Sequence, residues 1–166
     1  MTHYDCILLD ATRCINCKAC EIHCATWHGL PIPLGRHSGG DPVFLNGKVD
    51  LPLQFFACMH CKNPLCLKAC QYNAMTMTDD GMVHIDAERC TGCGDCRTAC
   101  PTHVPVINPQ NGLMVKCDLC AQRLSAGEAP ACVAGCISGA LHLASDAASH
   151  SRLFKEQIQF LKKHPE

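Results

Sequence analysis

The stretch Cys90-Thr91-Gly92-Cys93-Gly94-Asp95-Cys96-Arg97-Thr98-Ala99-Cys100-Pro101 spaces four cysteines as CxxCxxCxxxC and ends on proline. Three further blocks of four repeat the scheme. The first, Cys14, Cys17, Cys20 and Cys24, has the same spacing. The second, Cys58, Cys61, Cys66 and Cys70, lengthens the middle spacer to four residues, and the fourth, Cys117, Cys120, Cys132 and Cys136, lengthens it to eleven. Every block opens with CxxC and closes with CxxxC. Of the 17 cysteines only Cys6 falls outside the blocks.

The rest of the composition makes those cysteines necessary. The chain has 166 residues, 17% of them charged and 5% aromatic. So few large apolar side chains build a thin conventional core, and something other than hydrophobic burial must help to hold the fold. A formal net charge of -1 gives no sign of a basic face for nucleic acid. The start, Met1-Thr2-His3-Tyr4-Asp5-Cys6, has no basic segment, apolar segment or arginine pair of an export signal. No apolar run reaches the length of a membrane span; the best, residues 131–144, is broken by Ser138, Gly139 and His142. The expectation is a cytoplasmic protein, in a reducing compartment where thiols persist and bind metal.

The spacing selects the metal. A cubane cluster has four irons, each taking one thiolate. CxxC sets two sulfurs on one side of a tight loop, a third follows closely, and the loop's N–H groups can point at sulfur. CxxCxxCxxxC followed by proline is similar to the [4Fe–4S] run of bacterial ferredoxins. Structural zinc favours CxxC pairs a dozen or more residues apart, which suits the fourth block alone and not the first and third. Disulfides require an oxidising compartment that the sequence does not request.

Short strand-like pieces separate the blocks: residues 4–9, 51–56, 75–77, 83–85, 104–107, 113–115 and 140–143, with turns at Asp79-Asp80-Gly81 and Asn108-Pro109-Gln110-Asn111-Gly112. A two-cluster ferredoxin reads strand, block, hairpin, block, strand. Residues 51–107 give that order around the second and third blocks. Residues 4–50 and 108–143 give it again around the first and fourth. The expected fold is α+β, a single four-cluster domain over residues 1–166, with an inner ferredoxin-like module at 51–107 nested pseudo-symmetrically in an outer one at 4–50 and 108–143. Residues 25–50 read as irregular, apart from a hairpin around Asn46-Gly47. Residues 145–166 read as a helix with Leu153, Phe154, Ile158 and Leu161 on one stripe, packed on its own domain or docking a partner.

The four blocks, their order, and Lys116-Cys117-Asp118-Leu119-Cys120 with Arg123 resemble the four-cluster iron–sulfur subunits of the dimethyl-sulfoxide reductase superfamily. Similar subunits serve formate dehydrogenases, hydrogenases, carbon monoxide dehydrogenases and tungsten-dependent aldehyde oxidoreductases. The resemblance covers residues 4–143. It departs in one respect: proline follows only Cys100, whereas Ala25, Gln71 and Ile137 follow Cys24, Cys70 and Cys136. The resemblance implies four [4Fe–4S] clusters and a non-catalytic, electron-transferring subunit of anaerobic metabolism. Its partners would be a catalytic subunit of molybdenum or tungsten pterin type, and a second redox protein or another copy of the chain. In two-cluster ferredoxins the fourth cysteine of a run ligates the other cluster. Carried onto the nested order, this assigns Cys14, Cys17, Cys20 and Cys136 to cluster 1, and Cys58, Cys61, Cys66 and Cys100 to cluster 2. Cluster 3 takes Cys90, Cys93, Cys96 and Cys70, and cluster 4 takes Cys117, Cys120, Cys132 and Cys24. A free polyferredoxin shuttle and an iron–sulfur assembly factor are the alternative functions. No catalytic constellation and no Gly-rich nucleotide loop is visible.

Other residues carry two readings each. Cys6 reads as a buried small hydrophobe rather than a further ligand. His23, His60 and His103 stand beside ligands, where an imidazole can bond sulfur. Trp27 reads as packing, and Met75 and Met77 as cover for a cluster. Lys116 and Arg123 either offset cluster charge or lie on a solvated surface. The expected cofactor content of anaerobically purified protein is about sixteen irons and sixteen sulfides for each polypeptide. Zinc in place of iron in that analysis would reject the cubane reading.

Overall fold

The computed structural model describes residues 6–39, 43–45, 48–50 and 53–144. In chain order its elements are β1 (Cys6–Leu9), α1 (Ala19–His28), β2 (Arg36–Gly39), β3 (Val43–Leu45), β4 (Lys48–Asp50), β5 (Leu53–Phe56), α2 (Leu65–Ala69), β6 (Met75–Met77), β7 (Val83–Ile85), α3 (Asp95–Ala99), β8 (Val106–Ile107), β9 (Met114–Val115), α4 (Ala121–Ser125), α5 (Ala131–Ala134) and β10 (Leu141–Ala144). This is a small α+β fold. The expected C-terminal helix at 145–166 and the Asn46-Gly47 turn lie outside the described residues.

Helices form where the cysteine pattern needs them. In each block the third cysteine sits in a helix: Cys20 in α1, Cys66 in α2, Cys96 in α3 and Cys132 in α5. One helical turn then carries the chain to the fourth cysteine. Cys24 lies inside α1, Cys70 and Cys100 end α2 and α3, and Cys136 follows α5 by two residues. α4 occupies the long spacer of the fourth block. The helices pack in pairs, α1 with α5 and α2 with α3, so blocks one and four meet, and blocks two and three meet.

The strands form five two-stranded antiparallel ladders among the described residues. β1 runs against β10, Cys6 opposite Ala144 and Leu9 opposite Leu141, which closes the two ends of the described chain. β6 and β7 form the expected hairpin across Gly81, and β8 and β9 form another across residues 108–112. β5 differs from the simple ferredoxin order. It pairs not with 104–107 but with β2, Arg36 opposite Phe56 and Gly39 opposite Leu53. β2 is a strand inside the stretch read as irregular; the Glu21 carboxylate accepts the His37 N–H at 2.5 Å.

The core is shared between carbon and sulfur. Ile7, Leu34, Phe55, Phe56, Val104, Leu119 and Leu141 are buried together with Cys20, Cys24, Cys117 and Cys132. A second cluster gathers Met75, Val83, Cys96 and Met114. Each thiol block is thus walled by apolar side chains from the ladders next to it.

Gly92, between Cys90 and Cys93, shows how tightly a block is seated. It has φ +73°, and a Cβ there would lie 2.2 Å from the Gly112 carbonyl oxygen of the β8–β9 turn. Gly127 has φ +76° with open space around it. Gly127→Ala should cost about 1 kcal/mol, the left-handed penalty alone. Gly92→Ala should cost at least about 2 kcal/mol more, because backbone must move. Anaerobic thermal melts of the two variants measure the difference, and equal melting temperatures would contradict the close seating.

Candidate metal centre

Every CxxC loop uses one backbone device. The residue just before the second cysteine is left-handed in all four blocks: Asn16 (φ 53°), His60 (φ 41°), Gly92 (φ 73°) and Leu119 (φ 56°). Glycine adopts this conformation freely and asparagine with a smaller penalty; for Leu119 it costs roughly 1–2 kcal/mol. The strain recurs because the turn aims the loop inward. The Asn16 N–H points at Cys14 Sγ at 3.5 Å and the Leu119 N–H at Cys117 Sγ at 3.4 Å. Leu119 also fills the core, fully buried.

The thiols gather in sets that mix blocks. Cys58, Cys61, Cys66 and Cys100 line one cavity of about 220 Å³ together with Val83, Val104 and Lys116. Cys90, Cys93, Cys96 and Cys70 line a tighter one of about 20 Å³ with Met75, Ile85 and Met114. The Cys20 thiol lies within the electrostatic reach of Cys136 and Cys14. Cys132 lies within that of Cys117, Cys24 and Cys120, and of Cys20 as well. Cys17, Cys61 and Cys93, the second cysteines of three blocks, are exposed, whereas Cys120 is buried. None of the sixteen block cysteines forms a disulfide.

Burial sets the acidity of these groups. It pushes Cys20 and Cys117 up to about 12, and Cys66 and Cys96 up to about 11, with neighbouring acidic groups adding to the effect. Cys24, Cys61, Cys120 and Cys132 are raised for the same first reason. Cys136 goes the other way. Burial raises it, but hydrogen bonds from the Leu141 and Ala140 backbone and the Ser138 hydroxyl outweigh that and lower it. Groups of four soft sulfur donors in apolar walls, reluctant to ionise alone, suit a metal that supplies the missing positive charge. The donor chemistry therefore fits iron–sulfur ligation.

Donors converge on the same sulfurs. Backbone N–H groups of Leu34, Met114, Ala131 and Ala140 reach Cys24, Cys90, Cys120 and Cys136 at 3.2–3.5 Å. His28 Nε2 lies 3.6 Å from Cys120 Sγ and 3.6 Å from Asp118. His37 Nε2 lies 3.8 Å from Cys14 Sγ. These are not the histidines that stand beside ligands in the sequence. His60 Nδ1 instead accepts the Val83 N–H at 2.9 Å, and burial with Lys116 nearby holds its pKa down at about 3. His103 Nδ1 engages the Arg97 carbonyl, and the His23 ring packs against Gly135. No sequence signal marks His28 or His37, because strand β2 and the end of α1 deliver them. His28, Asp118 and Cys120 have ligand atoms within 4.8 Å of one another, but Cys120 already stands in a set of four thiols.

Other expectations divide. Met75 is buried over the second cavity, but Met77 is about half exposed and covers nothing. Arg123 is partly buried: it stacks over Trp27 at 4.9 Å, pairs with Glu128 at 3.0 Å, donates to the Ala129 carbonyl, and its charge acts on Cys120. Lys116 is not on a solvated surface; it is buried. Among the described residues no helix is long and apolar enough to cross a membrane.

Residues 51–146 match the family model described as a 4Fe-4S dicluster domain. The protein is 35% identical over 173 residues to the formate dehydrogenase-O iron-sulfur subunit of Escherichia coli K12, covering 93% of its own length and 57% of that subunit. It is 34% identical over 163 residues to the thiosulfate reductase electron transfer subunit of Salmonella typhi, covering 96% and 81%. It is 36% identical over 137 residues to a polypeptide of the anaerobic dimethyl sulfoxide reductase of Escherichia coli K12, covering 77% and 67%. It spans a little over half the length of the formate dehydrogenase subunits it matches. The protein belongs to the 4Fe-4S dicluster family, and its cofactor is the [4Fe–4S] cluster.

Cys6 lies in β1 among Leu8, Ala144 and Met59 and lines neither thiol cavity. Cys6→Ala should therefore leave the iron content unchanged and cost on the order of 1 kcal/mol from the lost sulfur. Iron analysis of that variant checks the assignment; a loss of about four irons would make Cys6 a ligand.

Proposed function

We propose that the protein is the electron-transfer subunit of a larger oxidoreductase and conducts electrons through four [4Fe–4S] clusters. One end would serve a catalytic subunit, of molybdenum or tungsten pterin type. The other would serve a second redox protein or another copy of this polypeptide. The observation that carries the reading is the mixing of blocks. Cys100 joins three cysteines of the second block around one cavity, and Cys70 joins three of the third around the other. By the same rule Cys136 completes the set of Cys14, Cys17 and Cys20, and Cys24 completes that of Cys117, Cys120 and Cys132. The electrostatic neighbours of Cys20 and Cys132 support this.

The reading extends to architecture. The outer module comprises the first and fourth blocks, supported by the β1–β10 ladder and the α1–α5 contact. The inner module comprises the second and third blocks, supported by the α2–α3 contact. When bound, each cluster supplies one-electron transfer between its 2+ and 1+ cores. The protein's own residues hold the thiolates, point N–H groups at sulfur and line the sites with apolar side chains. A polypeptide of this size has a radius of gyration of about 15 Å. Four sites within that span lie on the order of 10 Å apart, so the conductor runs through one module and then the other. A catalytic partner is supported by the relatives: iron-sulfur subunits of formate dehydrogenases, the electron transfer subunit of a thiosulfate reductase, and a polypeptide of a dimethyl sulfoxide reductase. A cysteine spacing that suits metal thiolates rather than disulfides supports a cytoplasmic setting.

The test uses the complex recovered from native cells, with molybdenum, tungsten and nickel assayed in what accompanies the protein. Cys70→Ser should damage chiefly the third-block cluster, and Cys136→Ser the first-block cluster. Either change should slow turnover through the natural acceptor while sparing turnover with a small dye that takes electrons at the catalytic subunit. An equal fall in both activities would contradict a conducting role.

A further inference from the structure

Lys116 stands where its charge is least at home. It is 7% exposed, and an ammonium removed from water without a counter-charge is strongly disfavoured. No carboxylate pairs with it among the described residues. Its Nζ donates to the Cys117 carbonyl at 3.0 Å and to Cys58 Sγ at 3.6 Å. It is also the one Lys, Arg, Asp or Glu among the residues lining the cavity of Cys58, Cys61, Cys66 and Cys100. The missing negative charge must come from that site. Four thiolates around a cubane carry a net negative charge in both oxidation states, and more in the reduced one.

We propose that Lys116 is a potential-setting residue: its buried ammonium, seated on Cys58 Sγ, selectively stabilises the reduced state of the second-block cluster. This rests on the ligand map proposed above. The step is a one-electron reduction, from the 2+ to the 1+ core, with the electron drawn from a low-potential external reductant. No bond breaks and no proton moves. The added charge lies beside a fixed cation that solvent and salt scarcely screen, and hydrogen bonds and charge at the ligand sulfurs set cluster potentials. Elsewhere among the described residues, Cys14, Cys120, Cys100 and Cys136 meet imidazoles and hydroxyls. In this set of side-chain contacts to sulfur Lys116 supplies the one ammonium, so its effect is greatest at the site whose sulfur it touches, and weaker at Cys117. Because it also holds the Cys117 carbonyl, it sits between a second-block and a fourth-block ligand.

The experiment is an anaerobic potentiometric titration of the whole holoprotein, followed by electron paramagnetic resonance, with iron counted in the same samples. Lys116→Met keeps length and volume and removes charge; it should shift one of the four midpoints to lower potential by clearly more than the other three. Lys116→Arg should restore that midpoint towards its original value. Wild-type protein labelled with ¹⁵N at the lysine side-chain nitrogen alone should show weak nitrogen coupling to one reduced cluster, lost in Lys116→Arg. Lys116→Met with full iron and four unmoved midpoints would overturn the inference. If Lys116→Met fails to load, the labelled wild-type protein decides, and no lysine coupling would overturn it. Wild-type protein without about sixteen irons would instead overturn the ligand map beneath it.

Discussion

A buried thiol that must become a thiolate is the constraint on which this molecule turns. Left to itself, burial drives Cys20 and Cys117 to about 12, so at neutral pH each keeps its proton until a metal displaces it. Iron reverses the balance by supplying the positive charge that the apolar surroundings lack. The dependence runs both ways. The same cysteines form much of the interior, with Cys20, Cys24, Cys117 and Cys132 buried among Ile7, Phe55, Leu119 and Leu141. A protein with so few aromatics folds around sulfur because sulfur and metal take the place of hydrocarbon.

The local backbone follows from that requirement. A left-handed residue before the second cysteine of each block bends the loop so that N–H groups face inward, even where a leucine, Leu119, must bear the strain. A helical turn from the third cysteine then sends the fourth away from its own loop, towards thiols of another block. Loop and helix together weave the blocks in pairs. Electrostatic tuning is laid over this weave unevenly: imidazoles at Cys14 and Cys120, hydroxyls at Cys100 and Cys136, and a buried ammonium at Cys58.

Much of this was legible in the sequence itself, because cysteine spacing, turn residues and short β-branched runs act locally. The hairpins at Gly81 and residues 108–112 and the strands at both ends of the described residues fall where pattern places them. What was not legible depends on distant partners. Arg36-His37-Ser38-Gly39 has no strand-like alternation, and becomes β2 because β5 offers it an edge and Glu21 takes an N–H. The inner strand β5 therefore takes a partner from the residues before it. His28 and His37 reach sulfur only through the tertiary fold. Lys116 looks like a surface residue until Cys58, 58 positions earlier, is placed beside it.

If the interior is built on metal–thiolate bonds, removing iron must remove the fold. The direct measurement is anaerobic chelation of the holoprotein with cluster absorbance and amide hydrogen exchange followed together. Protection of the β1–β10 ladder and of helices α1 and α5 should collapse in step with cluster absorbance, in one cooperative transition. An iron-free protein that keeps those amides protected would contradict a metal-built interior.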